Sequence, residues 1–291
     1  MELGLRLVIT ETPPAWLLYP KTYGLKGIVI NNDIDGLISG LIVSHYTGLP
    51  IVAMFDYKAI WYSIEHKEHQ LEELLFVDSD IQKSGVRSVG NHVTMINRSD
   101  RTNPLNYNLN NRHYIALNNN FHKHYAGSTA LMVASAFKHM PNTREGKRLL
   151  MFADGTFKIP INFKDKLGKP NDKIVLEWLE RLALENDLAD LLTYSKTDHE
   201  YEEYMQLLQT IEYDKREFNV SEDGMFLMPK EKVATICDML NVSADVPTKF
   251  KKIKEMKAVH INGVDGIIMP SNFFARTIAS KRRMLLCYLQ E

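Results

Sequence analysis

Four carboxylates and one imidazole stand where apolar runs of this chain end. Ile28-Val29-Ile30 leads into Asn31-Asn32-Asp33-Ile34-Asp35-Gly36, so two acids one residue apart reach the tip of a buried strand. Gly36 then lets the chain turn sharply into a segment with helical apolar spacing. Leu74-Leu75-Phe76-Val77 ends in Asp78, and the apolar stretch from Leu149 to Ala153 ends in Asp154. His92 follows Gly90-Asn91, just before the strand-like Val93-Thr94-Met95-Ile96. Carboxylates crowded at one sheet edge repel each other, and a divalent cation is the usual way to hold them ionised. Oxygen donors with one imidazole suit Mn2+ or Mg2+ better than thiolate-loving zinc.

Two plainer readings compete. Asn31-x-Asp33-x-Asp35-Gly36 matches the first half of a calcium-binding helix-loop-helix loop, but the twelfth position, where that loop needs glutamate, is Ile42. A turn rich in Asn, Asp and Gly needs no ligand at all. The repetition of acids at the ends of successive apolar runs favours the site.

In this order the motifs resemble those of the DHH phosphoesterase superfamily, which includes single-strand exonucleases, oligoribonucleases, cyclic-dinucleotide phosphodiesterases and family II pyrophosphatases. Asp33-Ile34-Asp35-Gly36 with Ser39 is similar to the first motif and Asp78 to the second. Ala153-Asp154-Gly155-Thr156-Phe157 is similar to the fourth, and Ala126-Gly127-Ser128-Thr129-Ala130-Leu131 to the helix start that follows the third. The resemblance covers roughly the first half of the chain.

The resemblance implies a metal set of Asn31, Asp33, Asp35, Asp78, His92 and Asp154, with Asp33, Asp35, Asp78 and His92 as the catalytic group. Asn31 stands where the family has an anionic or imidazole ligand, and Asp80 is the residue that could complete that first site. The name-giving Asp-His-His is replaced by Gly90-Asn91-His92 or, shifted by one, by Asn91-His92-Val93. The second register is preferred because it keeps His92 as the metal-binding imidazole. Substrate contacts are expected from Ser128 and Thr129 at a helix start, where N–H groups can cradle phosphate. Arg98 or His113, beside a polar segment, could stand in for the missing second histidine. Lys281 and Arg282, in a basic C-terminal run, could grip phosphate across a cleft.

Composition bounds the rest. The chain has 291 residues with a formal net charge of −1, so no global attraction to nucleic acid is visible. Its two cysteines, Cys237 and Cys287, suggest neither a disulfide framework nor a zinc cluster. No apolar run approaches the roughly 20 residues that span a bilayer. A cytoplasmic protein with no membrane partner is expected, and a homo-oligomer is compatible with the sequence.

The elements that must position these residues follow from periodicity. Residues from Gly27 to about Phe157 alternate strand-like and helix-like segments, which predicts a doubly wound, mainly parallel α/β sheet. Asn97 to Asn120 is polar and asparagine-rich, and reads as a long surface loop. Asn171 to Phe218 reads as acidic helices. Beyond Asn219, helices are predicted over Lys230–Leu240 and Ser271–Leu289. Three units are expected: a phosphoesterase-like domain over 1–170, an acidic helical linker over 171–218 and a smaller basic α/β lobe over 219–291. The resemblance, with these readings, implies a metal-dependent phosphodiesterase acting on short oligonucleotides, cyclic dinucleotides or single-strand ends, with a nucleotide or short nucleic acid as its partner. The alternatives are a catalytically degenerate relative that binds a nucleotide or protein partner, and a pyrophosphatase.

Overall fold

The computed structural model describes residues 11–154, 172–195, 199–211, 218, 220–221, 223–228, 230–263, 273–280 and 283–290. Leu5–Thr10 and Gly266–Met269, two segments whose sequence predicts strands, and the pair Lys281 and Arg282 lie outside them.

The central strand, β1 (Gly27–Asn31), is buried along its whole length and pairs in parallel with β2 (Ile51–Phe55) and β4 (Leu74–Val77). A strand covered on both faces needs apolar residues in succession, which is what Ile28-Val29-Ile30 supplies. From β1 the chain turns directly into α2 (Ile34–Thr47), which follows a short helix α1 (Ala15–Leu18). Asp33 caps α2 by accepting the Gly36 N–H at 2.9 Å. Two glycines one turn apart press α2 onto the sheet. A Cβ on Gly36 would lie 2.6 Å from the Asn31 carbonyl oxygen, and one on Gly40 would lie 2.3 Å from the Ile30 Cγ2.

The sheet has nine strands among the described residues, in the order β6-β5-β4-β1-β2-β3-β7-β9-β8. The remaining members are β3 (Ala59–Ser63), β5 (Arg87–Val89), β6 (Asn106–Tyr107), β7 (Phe250–Asn262), β8 (Ala275–Ser280) and β9 (Arg283–Leu289). Pairings from β6 to β2 are parallel and those from β2 to β8 are antiparallel, so the sheet is mixed. Bridges Ile81–Ala275 and Val93–Ile278 bring β8 back against the segments that follow β4 and β5, and the sheet curls on itself.

One face of the sheet packs against α2, α4 (Thr129–Phe137), α5 (Arg144–Phe152), α6 (Asp172–Leu182) and α7 (Glu185–Ser195) in a large apolar core. Helices α8 (His199–Thr210) and α9 (Lys230–Leu240) add to that core, and a short α3 (Leu109–Arg112) follows β6. A doubly wound sheet would carry helices on the second face too. Here that face encloses Val29, Val52, Phe55, Phe76, Met256, Phe274 and Cys287, packed strand against strand by the curl. The C-terminal strands join the sheet of the N-terminal segment through β3 and β7.

Two expectations are corrected here. The helix expected over Ser271–Leu289 is replaced by β8 and β9. Both faces of β9 meet apolar cores, so its residues are apolar in succession, and such a run does not separate strand from helix. The segment Asn97–Asn120 is not a surface loop throughout. It holds β6 and α3, and Asn103, Asn106, Asn108 and Asn110 are buried.

Candidate functional site

The C-terminal ends of β1 and β4 carry the first acids. Asp33 and Asp35 flank the start of α2, and Asp78 follows β4 directly with a left-handed φ of 60°. That conformation is sparsely populated for a residue with a Cβ, and it falls where the Asp78 carboxylate meets the sheet edge. The N-terminus of α4 closes the site from the helical side. Thr129 N–H donates to one Asp35 oxygen at 2.7 Å and Ala130 N–H to the other at 2.8 Å. The Thr129 hydroxyl donates to Asp78 at 2.8 Å, and the Ser39 hydroxyl donates to Asp35 at 3.2 Å. Asp154, just beyond α5, accepts from the Asn91 amide at 2.6 Å, and the same amide donates to the Gly127 carbonyl at 2.9 Å.

These acids feel one another. Burial, then the charges of Asp154 and Asp33, push Asp35 up to about 8 despite the two α4 N–H groups. Asp78 is raised well above the ordinary range by burial and by the charges of Asp35 and Asp33. Asp33 is raised by burial, with the hydrogen bond from the Gly36 N–H pulling the other way. No lysine or arginine forms an ion pair with Asp33, Asp35 or Asp78 among the described residues.

Mutual repulsion reaches over several ångströms, whereas shared coordination needs oxygens at roughly 2 Å from one point. Among the described residues, no three His, Cys, Asp or Glu side chains are arranged to hold a metal ion. The reason is visible in the hydrogen bonds. Both Asp35 oxygens face α4 N–H groups, and Asp78 accepts from Thr129 and from the Asn31 amide at 3.3 Å. Asn31 presents its NH2 to Asp78 while its amide oxygen accepts from Asn32 N–H at 3.0 Å, so its oxygen is not offered as a ligand.

Asp80 does not complete the first site. It is fully buried and accepts from His92 N–H at 3.1 Å, from the Asn106 amide at 3.0 Å and from the Asn108 amide at 2.6 Å. His92 Nδ1 lies 3.3 Å from the same carboxylate. Burial alone would lower the His92 pKa. The hydrogen bond and charge of Asp80, with the charges of Asp154 and Asp33, outweigh it and raise the imidazole to about 9.

The structure therefore gathers Asn31, Asp33, Asp35, Asp78, Asp154 and His92 around one edge, with α4 beside them. Thr129 lies on that edge through Asp35 and Asp78, whereas Ser128, His113 and Arg98 have other partners. Ser128 is buried and serves as the α4 cap, accepting Leu131 N–H and donating to the Leu150 carbonyl. His113 is bound to Glu11 at 2.6 Å, and the Arg98 guanidinium lies 5.3 Å from the Tyr114 ring centroid. The β7 lysines stand three strands from β1, with Lys251 paired to Glu68 and Lys252 to Glu255.

Sequence reasoning missed Asn91, Asn106 and Asn108 as parts of this edge. The alternation of asparagines at 106, 108 and 110 was the available signal, since residues two apart share a face of an extended chain. It also missed Tyr57, whose phenol lies 3.4 Å from the Thr277 hydroxyl. Burial raises the Tyr57 pKa well above its ordinary value, and the charges of Asp78 and Asp80 act in the same direction.

Compared with protein-family models, curated proteins and solved structures, the chain gives no match. No helix among the described residues is long and apolar enough to cross a membrane.

Proposed function

We propose that this chain is a metal-dependent phosphodiesterase of the DHH type, acting on short oligonucleotides, cyclic dinucleotides or single-strand ends. The observation that carries the reading is the set of mutually repelling carboxylates, buried Asp35 and Asp78 with half-buried Asp33, which form no ion pair with a lysine or arginine among the described residues. A divalent cation, Mn2+ or Mg2+, fits that donor set in charge and hardness, although its coordination requires the acids to draw closer than they stand. Bound there, it would supply an activated water and neutralise charge on the phosphoryl oxygens.

The chain's own residues have separable roles in this reading. Asp33, Asp78 and Asp154 would hold the cation. Asp35 fixes the α4 N-terminus beside them, and Thr129 orients Asp78 through its hydroxyl. The contact between Asn91 and Asp154 favours the register Gly90-Asn91-His92 over the shifted one, because Asn91, not His92, touches the fourth-motif acid. His92 then stands in the place of the second histidine, and Arg98 and His113 are not needed to replace it.

A second reading, a binding protein without turnover, is favoured by one specific observation. Amide NH2 groups of Asn31 and Asn91 donate to Asp78 and Asp154, supplying neutral donors where the family has ligands. The discriminating experiment is calorimetric titration of Mn2+ into wild type and Asp78→Ala, followed by a manganese-supplemented screen of cyclic-dinucleotide, oligonucleotide and pyrophosphate substrates. The enzyme reading expects tight binding by wild type, loss in Asp78→Ala, and turnover of a phosphodiester. Equal heats in both proteins and a silent panel would leave the binding reading in place. Hydrolysis of pyrophosphate alone would move the substrate class.

A further inference from the structure

We infer that Asp80 is a positioning residue: it grips His92 at both Nδ1 and the backbone N–H, leaving Nε2 as the only ring nitrogen free for a ligand at the carboxylate edge. The inference rests on the proposed site only for what that ligand would be.

The fold commits a great deal of polar structure to this one carboxylate. Asp80 is fully buried and forms no ion pair with a lysine or arginine among the described residues, a costly arrangement unless its oxygens are satisfied. One oxygen accepts from Asn106 and Asn108, at 3.0 and 2.6 Å. The other faces the His92 backbone N–H at 3.1 Å and Nδ1 at 3.3 Å. Asn108 also donates to the His92 carbonyl at 2.7 Å, so one asparagine holds both the carboxylate and the backbone of the residue it grips. Gly90 makes room, since a Cβ there would lie 2.4 Å from Asp80 Oδ1.

Burying an acid could serve folding alone, but then the imidazole would have no reason to be its partner. The His92 side chain is 31% exposed, enough for water to serve both of its nitrogens. Instead Nδ1 is turned to the buried Asp80 carboxylate, while Nε2 has no hydrogen-bond partner among the described residues. A carboxylate on one ring nitrogen fixes ring orientation and frees the other nitrogen for a metal or a phosphoryl oxygen. The asparagine-rich segment thereby acquires a purpose: β6 and the residues around it brace Asp80, and Asp80 aims His92.

The test is a side-chain NMR spectrum of the full chain labelled with 15N-histidine. His92 should show a low-field, slowly exchanging Nδ1–H beside that of His124, whose Nδ1 lies 2.6 Å from the Phe121 carbonyl, and His92→Gln should remove the His92 signal and so assign it. In Asp80→Asn the signal should move to the ordinary imidazole region, with the other histidines and the thermal melt unchanged. Where the substrate panel detects turnover, the same variant should lower kcat by about 10–100-fold with KM little changed. A wild-type His92 with no hydrogen-bonded Nδ1–H, or a folded Asp80→Asn that keeps it, overturns the inference. Should Asp80→Asn fail to fold, the wild-type signal decides alone. A wild type without turnover sinks the enzyme reading but leaves the signal, and hence this inference, standing.

Discussion

The hydroxyl of Thr129 lies 2.8 Å from a carboxylate oxygen of Asp78, while the N–H of the same residue lies 2.7 Å from Asp35. One residue at the first turn of α4 thus ties together acids delivered by two different strands. Thr129→Val keeps the N–H and the shape but leaves a buried Asp78 oxygen without its donor. We expect a loss of about 1–3 kcal/mol, read as a lower urea midpoint at unchanged slope. Thr129→Ser should recover most of it. Equal midpoints for all three proteins would mean that water replaces the hydroxyl at no cost.

The pH dependence of stability has a defined sign. Asp35 is raised from 3.8 to about 8, so its stabilising contribution is complete below 3.8 and is lost as pH rises through 8. Asp33 and Asp78 are raised too and act in the same direction. His92, raised from 6.5 to about 9, contributes fully below 6.5 and loses its contribution through 9. Metal-free protein should therefore melt at falling temperature from about pH 4 to about pH 9. Because Mn2+ competes with protons for the same carboxylates, the rise in Tm that it produces should be larger at pH 8 than at pH 5. A Tm flat over that range, with no manganese effect at either pH, would contradict the charge-repulsion account.

Much of this edge is legible from residue order. Apolar runs ending at Asp33, Asp78 and Asp154 announce where acids emerge, and Gly36 announces the turn into α2. What hides the rest is that burial of polar groups leaves little trace in composition. Asn103, Asn106, Asn108 and Asn110 look like a solvated loop because asparagine usually is solvated, and only the partners reveal them as interior braces. Strands β8 and β9 resemble a helix because the curl covers both of their faces. Asp80 looks like a spare ligand beside Asp78, and two residues of chain are enough to carry it into a different set of partners.

Gly90→Ala tests the brace from its steric side. The added Cβ would sit 2.4 Å from Asp80 Oδ1, and the carboxylate cannot retreat without losing Asn106 or Asn108. We expect a destabilisation of about 1–3 kcal/mol and a changed His92 side-chain signal. Replacing Gly85, where the nearest side-chain atom is the Glu72 Cγ at 3.3 Å and φ is +86°, controls for backbone strain alone. Its Ala variant should be less stable without altering His92. An unperturbed His92 in Gly90→Ala would show that the carboxylate has room to move.

Asn31→Asp separates the two functional readings. Asn31 now donates its amide to Asp78 at 3.3 Å. The substitution removes that donor and sets another negative charge beside carboxylates that already repel each other. Without metal, the variant should be less stable than wild type at pH 8 by about 1–3 kcal/mol, because a buried oxygen loses its partner and gains a like charge. With Mn2+ the order should reverse, since the new carboxylate supplies an anionic ligand at the position where the amide oxygen faces away. Calorimetry should then show tighter binding by the variant, and turnover, if present, should need less manganese. A variant weakened both with and without Mn2+ would show that the amide closes the site by design, and the binding-protein reading would lead. An unaltered affinity in a stable variant would instead mean that Asn31 lies outside the first coordination shell, leaving Asp33, Asp78 and Asp154 to hold the ion.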